Sequence, residues 1–402
     1  MSETPDGWKR VKLGDIGEIK RGASPRPKGD PRYFGGAIPW IKISDLSRFK
    51  EGIYLTKTED TVTEEGKRRS VYLPDGSLIV SNSGTVGEPA IIFTGKGGCI
   101  HDGFITIKPR EASEIFLYYL FEWKKQEFQV MAQANTQGNM NTKLWAEVKI
   151  NLPPLPEQRK IAEVLSKVDS LIEKTEKIIE KYERIKRGLA QDLLTRGIDE
   201  NGRIRSEETH EFKDSPVGRI PKEWKVVKLG ELGEIVYGDR LPESEYHPYG
   251  DSLVYGSSGI IARSYRFLDT GAAVVLPRKG TITNVFYVSP NQKFWVIDTA
   301  FYIKPTIDAK FLYYGLQRVN LEIYNEATGV PSLSRETLRN ILLAVPYSDE
   351  EQRRIAQVLS QVDNILEKER RELEKLKRLK RGLMSDLLSG KVRVTPLLEA
   401  SK

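Results

Sequence analysis

The chain has 402 residues, of which 39% are apolar, and this is enough for two or more domains with ordinary hydrophobic cores. A net charge of +7 permits a nucleic-acid partner. The single cysteine excludes an internal disulfide, and the three histidines form no cluster at zinc-ligand spacing, so no metal site is expected. No apolar run is long enough to span a membrane and the N-terminal residues do not form a signal peptide, so we expect a cytoplasmic protein with a buried, inert Cys99.

Residues 1–155 are predicted to form a first unit of mixed α and β structure. Short segments rich in Val, Ile, Phe and Thr, namely GSLIVSN, EPAIIFT and GFITIKP, are bounded by Gly, Pro or Asn and predict strands. The segment FLYYLFEWKKQEFQVMAQ from Phe116 predicts a helix, which the Gly-containing loop NTQGNMN follows.

A long helix is predicted over residues 156–197, with Pro156 in its first turn. Its apolar residues recur in alternating steps of four and three, which is typical of a coiled-coil seam, and Thr175 and Lys186 are polar interruptions of that seam. The first seam positions are Ile161, Leu165, Val168 and Ile172. The polar residues 198–222 are predicted to form a linker.

Residues 223–347 are predicted to form a second mixed unit. The segments AAVVLP, NVFYVS and AFYIKP predict strands, for the same reasons of composition and boundary residues. The segment AKFLYYGLQRVNLEIYNEA from Ala309 predicts a helix, and the loop TGVPSLS follows it.

A second long helix is predicted over residues 348–391, followed by a tail at 392–402. Ser348 and Glu351 have the spacing of a capping box. The seam recurs with the same spacing, and Glu369 and Lys380 interrupt it at the positions equivalent to those in the first helix. Its first positions are Ile355, Leu359, Val362 and Leu366.

The two halves of the chain are a tandem duplication. Glu351 minus Glu157 and Asp363 minus Asp169 both give 194, and WKRVKLGDIGEI from Trp8 matches a similar segment at an offset of 216. Because the two seams match and the first helix leads from the first unit to the second, the helices are predicted to pair antiparallel. The predicted fold class is α+β, with two mixed α/β domains separated by two long antiparallel coiled-coil helices in a pseudo-twofold internal repeat.

Loops that combine Lys, Arg, Asn, Ser and Tyr are the candidate DNA-binding segments, because such side chains contact phosphates and base edges. For any one residue, a solvated turn is the alternative. The candidates in the first unit are Lys20, Arg21, Arg26, Lys28, Arg32, Tyr33, Lys67, Arg68, Arg69, Asn82, Ser83, Thr85, Asn135 and Gln137. Those in the second unit are Arg240, Tyr255, Ser257, Ser258, Arg263, Arg278, Lys279 and Thr281.

The two EQR-x-IA-x-VLS-x-VD helix starts, YFGGAIPWIKISDL at 33–46, SGTVG at 83–87 and FKDSPVGRIPKEW at 212–224 resemble the specificity subunits of type I restriction-modification systems. The resemblance covers nearly the whole chain. It implies that each unit is a target recognition domain for one half of an asymmetric bipartite site in double-stranded DNA. It also implies that the helices set the spacer and dock two methyltransferase (modification) subunits, with restriction/translocase subunits as further partners.

No motif indicates that the chain itself is an enzyme. Residues 151–155, NLPPL, have an inserted Leu and lack the aromatic residue of an Asn/Asp-Pro-Pro-aromatic methyltransferase motif, and TGKGG at 94–98 is not a phosphate loop. The resemblance places S-adenosylmethionine, ATP and Mg in partner subunits, so we expect no cofactor on this chain. The alternatives are a non-catalytic two-headed protein adaptor and a stand-alone methyltransferase or nuclease.

Overall fold

The computed structural model describes residues 4–134 and 139–399, which form two compact units. Unit 1 consists of Met1–Lys177 and Arg370–Lys402, and unit 2 of Ile178–Glu369. Both long helices cross between the units, so unit 2 is one continuous segment whereas unit 1 combines an N-terminal and a C-terminal segment.

Among its described residues, the part of unit 1 that precedes the first long helix contains three sheets and five short or medium helices. Its strands are β1 (Lys9–Lys12), β2 (Gly17–Arg21), β3 (Phe34–Ile41), β4 (Lys50–Glu51), β5 (Tyr54–Leu55), β6 (Asp60–Val62), β7 (Val71–Leu73), β8 (Leu78–Ser81), β9 (Pro89–Ile92), β10 (Gly98–Ile100), β11 (Phe104–Pro109) and β12 (Lys149–Leu152). Its helices are α1 (Leu13–Ile16), α2 (Ile43–Phe49), α3 (Glu64–Arg68), α4 (Glu114–Gln133) and α5 (Thr142–Glu147), and the long helix α6 (Leu155–Leu193) follows. The sheet orders are β2-β11-β8-β9-β5-β4, β6-β3-β10-β7 and β1-β12. The strands and helix predicted in this unit are confirmed.

Unit 2 has a similar but smaller set of elements. Its strands are β13 (Phe212–Lys213), β14 (Ile220–Pro221), β15 (Trp224–Lys228), β16 (Gly233–Tyr237), β17 (Ser252–Gly256), β18 (Gly259–Ser264), β19 (Ala273–Pro277), β20 (Phe286–Val288), β21 (Phe294–Val296), β22 (Ala300–Pro305) and β23 (Leu342–Pro346). Its helices are the second part of α6, α7 (Ala309–Gln317), α8 (Arg335–Arg339) and the first part of the long α9 (Asp349–Ser389), and α10 (Thr395–Glu399) follows in unit 1. Three short 3-10 helices lie at Leu229–Glu231, Glu243–Glu245 and Leu321–Tyr324.

The sheets repeat in the same order. The strands β2-β11-β8-β9 recur as β16-β22-β19-β20, the β1-β12 pair recurs as β15-β23, and the parallel pair β3-β10 recurs as β17-β21. The sequence offset falls from 214 between Ile41 and Tyr255 to 196 between Asn82 and Arg278. Within unit 2, all of whose residues are described, no element corresponds to α2, β4 or β5, which accounts for most of that loss.

Each unit extends its hydrophobic core onto both long helices. In unit 1, Ile161 of α6 and Met384 of α9 belong to the same buried cluster as α4 and the main sheet. In unit 2, Leu193 of α6 and Ile355 of α9 do the same. The predicted seam residues are buried, except that Ile172 is half-buried: Ile161, Leu165, Val168, Ile355, Leu359, Val362 and Leu366. The long amphipathic helices therefore gain their stability from tertiary packing.

In unit 1, the polar interruption at Lys380 is part of a half-buried polar cluster. Its Nζ lies 2.8 Å from Asp169 Oδ1, and the hydroxyl of Tyr119 donates to Asp169 Oδ2 at 2.7 Å. Lys380 Nζ also lies 3.3 Å from Glu122. An early residue of α6 thus faces a late residue of α9, as an antiparallel pair requires.

Unit 2 repeats this cluster with the roles of the two helices exchanged. Lys186 Nζ of α6 lies 2.7 Å from Asp363 Oδ1 of α9, and the Tyr314 hydroxyl donates to Asp363 Oδ2 at 2.8 Å. The lysines that interrupt the seam are therefore its interhelical ion-pair partners. A buried charge that is paired and hydrogen-bonded costs far less free energy than an isolated one.

The carboxylate at the start of each long helix is held by groups from two other segments. Glu157 accepts from Trp8 Nε1 at 3.1 Å and from Arg393 Nε at 2.7 Å. In unit 2, Glu351 accepts from Trp224 Nε1 at 3.2 Å and from Arg205 Nη2 at 3.1 Å. Each arginine follows the C-terminus of the other long helix, so each cluster ties a helix start to a helix end. We call these two groups the Trp-Glu-Arg clusters.

The predicted capping box at Ser348 is only half correct. The Ser348 hydroxyl accepts from the Glu351 backbone N–H at 3.3 Å. The Glu351 carboxylate does not return to the backbone of Ser348, because it is engaged in its Trp-Glu-Arg cluster. One half of the motif is present, and the other is replaced by a tertiary contact.

Residues 198–222, predicted as a polar linker, have defined structure in unit 2. The N–H of Ile198 donates to Glu351 Oε1 at 3.1 Å, and Arg205 is buried. The strands β13 and β14 pair antiparallel. A charged composition concealed this structure, since the buried arginine is neutralised by a glutamate far along the chain.

The helix predicted from Ala309 through residue 327 is too long. The helix α7 ends at Gln317, and the next turn is a separate 3-10 helix whose N-terminus is capped by Asn320, which accepts from Glu322 N–H. The side chain of Arg318 leaves the helix to donate to Leu194 O at 3.1 Å. Tertiary contacts therefore override the local helical pattern here.

Cys99 is fully buried, as predicted, and burial raises the pKa of its thiol to about 11. In the described part of the chain, no helix combines the length and apolar character that crossing a membrane requires.

Candidate nucleic-acid interface

A short turn before the last strand of the main sheet has the same backbone contacts in both units. Turn 1 is residues 101–103, before β11, and turn 2 is residues 297–299, before β22. Three backbone hydrogen bonds, each from an N–H to a carbonyl oxygen, are equivalent in the two units. The Gly22–Phe104 bond (2.9 Å) corresponds to Gly238–Ala300 (3.0 Å), and the Asn82–Gly103 bond (2.8 Å) to Arg278–Thr299 (2.8 Å). The His101–Ile41 bond (3.0 Å) corresponds to Ile297–Tyr255 (2.9 Å). The same scaffold therefore presents different side chains in the two units.

Glycine is required directly after β2 and β16, where the chain passes turn 1 and turn 2. A Cβ at Gly22 would lie 2.2 Å from His101 O, and one at Gly238 would lie 2.1 Å from Ile297 O. No other residue fits these close backbone approaches. The loops that follow β2 and β16 are thus fixed against turn 1 and turn 2, and their basic residues are positioned by the strand ends.

Positive groups converge on turn 1. The Nε of Arg21 donates to Asp102 O at 2.8 Å, and the Nδ1 of His101 lies 3.0 Å from Asp102 Oδ1. Burial lowers the pKa of His101, the carboxylate of Asp102 opposes this, and the charges of Arg26, Lys28 and Arg21 lower it further. Turn 1 therefore combines an imidazole and a carboxylate with the positive charges of Arg21, Arg26 and Lys28.

A cavity of about 710 Å³ opens beside turn 1. Its wall includes the ring of Trp40, which meets His101 edge-on at 5.9 Å between centroids, and its rim includes Arg26 and Lys28. Neither of these two cations forms an ion pair with a carboxylate of the described residues. They are free to meet phosphate oxygens or base edges.

Turn 2 carries a different arrangement of arginine and tyrosine. The Nη1 of Arg278 donates to Asp298 O at 2.9 Å. The Tyr237 ring, 45% exposed, has the guanidinium of Arg278 at 5.4 Å and that of Arg335 at 5.0 Å from its centroid. Stacking on an aromatic ring orients a guanidinium while leaving its N–H groups available.

Several predicted DNA-binding residues are engaged elsewhere. Tyr33 is 3% exposed and its ring supports the guanidinium groups of Arg32 and Arg69. Asn82 and Tyr255 are 3% and 4% exposed. Little of the Tyr33, Asn82 and Tyr255 side chains is therefore accessible, and their contacts to DNA stay a prediction.

The other predicted residues lie at or near the surface, and their contacts to DNA stay a prediction. Some make local contacts: Lys20 pairs with Glu18, Arg32 with Asp30, Lys67 lies over the Tyr72 ring, and Arg263 donates to Gly250 O. The exposed or half-buried remainder is Arg21, Arg26, Lys28, Arg68, Arg69, Ser83, Thr85, Arg240, Ser257, Ser258, Arg278, Lys279 and Thr281. Asn135 and Gln137 lie outside the described residues.

Sequence reasoning missed three residues of this surface: His101, Tyr237 and Arg335. The sequence contains a signal for His101. When ITIKP is aligned with FYIKP, the residues HDG at 101–103 stand opposite IDT at 297–299, so the two repeats differ at His101. Tyr237 and Arg335 are far apart in sequence and meet only on folding.

Comparison with known proteins places these observations in a family. A family model, described as the type I restriction modification DNA specificity domain, matches residues 5–184 and 221–378. The type I restriction enzyme MjaVIII specificity subunit of Methanocaldococcus jannaschii is 27% identical, over 98% of this chain and 95% of its own. The MjaIX specificity subunit of the same organism is 30% identical, over 61% of this chain and 56% of its own. A crystal structure of a type I restriction-modification system S subunit from M. genitalium shares the fold, with a TM-score of 0.67, 16% identity, and coverage of 96% of this chain and 97% of its own.

Proposed function

The chain belongs to the family of type I restriction-modification DNA specificity subunits, and from this premise we propose that each of its units reads one half of a bipartite DNA site. The observation that carries this proposal is the pair of turns, in which one backbone scaffold holds different side chains. Equivalent scaffolds dock on DNA in the same way, whereas different side chains select different bases. The two half-sites therefore differ, and the whole site is asymmetric.

The long helices supply the spacing and the docking surface. At about 1.5 Å per residue, the 39 residues of α6 and the 41 residues of α9 form rods of about 60 Å. Their length sets the number of base pairs between the two half-sites. Their exposed faces, with the adjoining parts of the two units, dock two methyltransferase subunits, one for each half.

The chemistry belongs to those partners. The methyltransferase subunits transfer the methyl group of S-adenosylmethionine to an adenine that has left the base stack, and restriction/translocase subunits use ATP and Mg²⁺. This chain supplies sequence recognition and no catalytic group. An adaptor without DNA specificity leaves the cations around turn 1 without a role, and a stand-alone methyltransferase requires S-adenosylmethionine binding by the purified chain.

The test is selection of duplexes from a random DNA pool by this chain in complex with its methyltransferase subunits, at about 0.15 M salt, where non-specific phosphate binding is reduced. We expect two different short motifs at a fixed separation. A well-formed complex that enriches no motif would favour the adaptor. Binding of S-adenosylmethionine by the chain alone would favour the methyltransferase.

A further inference from the structure

We propose that Arg21 of unit 1 and Arg278 of unit 2 are equivalent phosphate-binding residues, which hold the DNA backbone in the same place on both units. This inference rests on the proposed function and deepens it. It separates residues that position DNA from those that read its sequence, a distinction that sequence repeats alone do not provide.

The first observation is a shared anchor. Arg21 Nε donates to Asp102 O at 2.8 Å, and Arg278 Nη1 donates to Asp298 O at 2.9 Å. The two aspartates are equivalent, since both stand at offset 196 in the aligned segments before β11 and β22. Each turn therefore holds one guanidinium group on the backbone carbonyl of its equivalent aspartate.

The second observation is that the two arginines come from different places in the repeat. Arg21 ends β2, and its equivalent in unit 2 is Tyr237 at the end of β16. Arg278 follows β19, and its equivalent in unit 1 is Asn82. The guanidinium group is kept at the turn although the residue that supplies it has changed strands.

A contact retained in this way serves something that both half-sites have in common. The side chains around the two turns otherwise differ, as expected of readers of different base sequences. A phosphate is present at every step of any duplex, whereas a given base is not. A phosphate contact is therefore the simplest common task for this guanidinium group.

The guanidinium groups are free to do this. Each arginine uses one N–H group on its anchor, and among the described residues neither forms an ion pair with a carboxylate. The remaining N–H groups form a planar fork that suits a phosphate. The surroundings are also cationic, with Arg26 and Lys28 near turn 1 and Lys279 beside turn 2.

The experiment uses unit 2, where the arginine can be moved from the end of β19 to the end of β16. The new position, Tyr237, is exposed, so the move does not bury a charge. The variants are R278N, the exchange Y237R/R278N, which restores the arginine at the position it has in unit 1, and R203N. Arg203 is an exposed residue of unit 2 outside both long helices and turn 2, and among the described residues it forms no ion pair, so R203N controls for loss of one positive charge. Each variant is assayed as the full chain in its methyltransferase complex, with folding checked by circular dichroism.

For R278N we expect affinity to fall about tenfold or more on the selected site and on sites with a changed half-site alike. The slope of log affinity against log salt should decrease by about 0.9, the value for one phosphate contact. Y237R/R278N should regain both the affinity and the slope, and R203N should change neither.

Two results would overturn the inference while leaving the proposed function intact. In one, R278N binds as tightly as the wild type with the same slope. In the other, R278N relaxes preference at a single base pair, which is the behaviour of a base contact. If the wild-type complex itself shows no sequence preference, the proposed function fails, whatever the variants do.

Discussion

Replacing Arg205 with methionine should destabilise unit 2 more than the matching replacement of Arg393 destabilises unit 1. Both arginines hold the carboxylate at a helix start, but their side chains are 7% and 28% exposed, respectively. Removing one member of a buried ion pair costs about 3–5 kcal/mol, because the other charge is left without compensation. Solvent reduces this cost when a member is accessible.

From these exposures we expect R205M to lower the free energy of unfolding by about 3 kcal/mol and R393M by about 1 kcal/mol. Adding E351Q to R205M removes the orphaned charge, so the double variant should lose about 2 kcal/mol less than the sum of the single losses. Because Glu351 also accepts from Ile198 N–H, R205M should speed amide exchange there and in the first turn of α9.

Urea unfolding of the full chain gives the free energies, and hydrogen exchange read by mass spectrometry gives the location. In R393M the faster exchange should instead appear in the first turn of α6, where Glu157 lies. Equal losses in the two single variants would refute the reasoning from burial. So would additive losses of R205M and E351Q, because they would mean that the two groups do not interact.

Three further predictions concern turn 1 and the helices. Phosphates bound at turn 1 should raise the lowered pKa of His101, so DNA binding takes up a proton and affinity rises by up to about tenfold per pH unit as pH falls from about 8 to 6. In a titration of DNA binding against pH, H101Q should abolish this rise. K380M should lower the free energy of unfolding by about 1–3 kcal/mol in urea melts, because it leaves Asp169 uncompensated, whereas no loss would show that the pair is not needed. Inserting four residues, about one turn, at matched points of both long helices should change the spacer found by duplex selection while both half-site motifs persist; an unchanged spacer would disprove the role of helix length.

The repeat and the strands were predictable because they depend on local patterns. Segments such as the one that becomes β8 are short, apolar and bounded by turn residues, and the period of the long helices is visible in the sequence. The offsets between the halves also located the two units. Backbone preference and burial decide such features over a few residues.

The polar tertiary contacts were not predictable in the same way. Lys380 was recognised only as an interruption, since its partner Asp169 lies more than two hundred residues earlier. Glu351 has the spacing of a capping residue, yet a distant arginine and tryptophan bind its carboxylate instead. Loop composition identified Tyr33 as a surface residue, but two cations lie on its ring and its side chain is buried.

The discontinuous composition of unit 1 affects the order in which the chain can fold during synthesis. Domains usually fold in the order in which they leave the ribosome. Here the core of unit 1 includes Leu387 and Leu388, which are synthesised after all of unit 2. The N-terminal unit must therefore wait with part of its core exposed while the later unit completes first, and a released chain that ends at residue 369 should resist protease in unit 2 but not in unit 1.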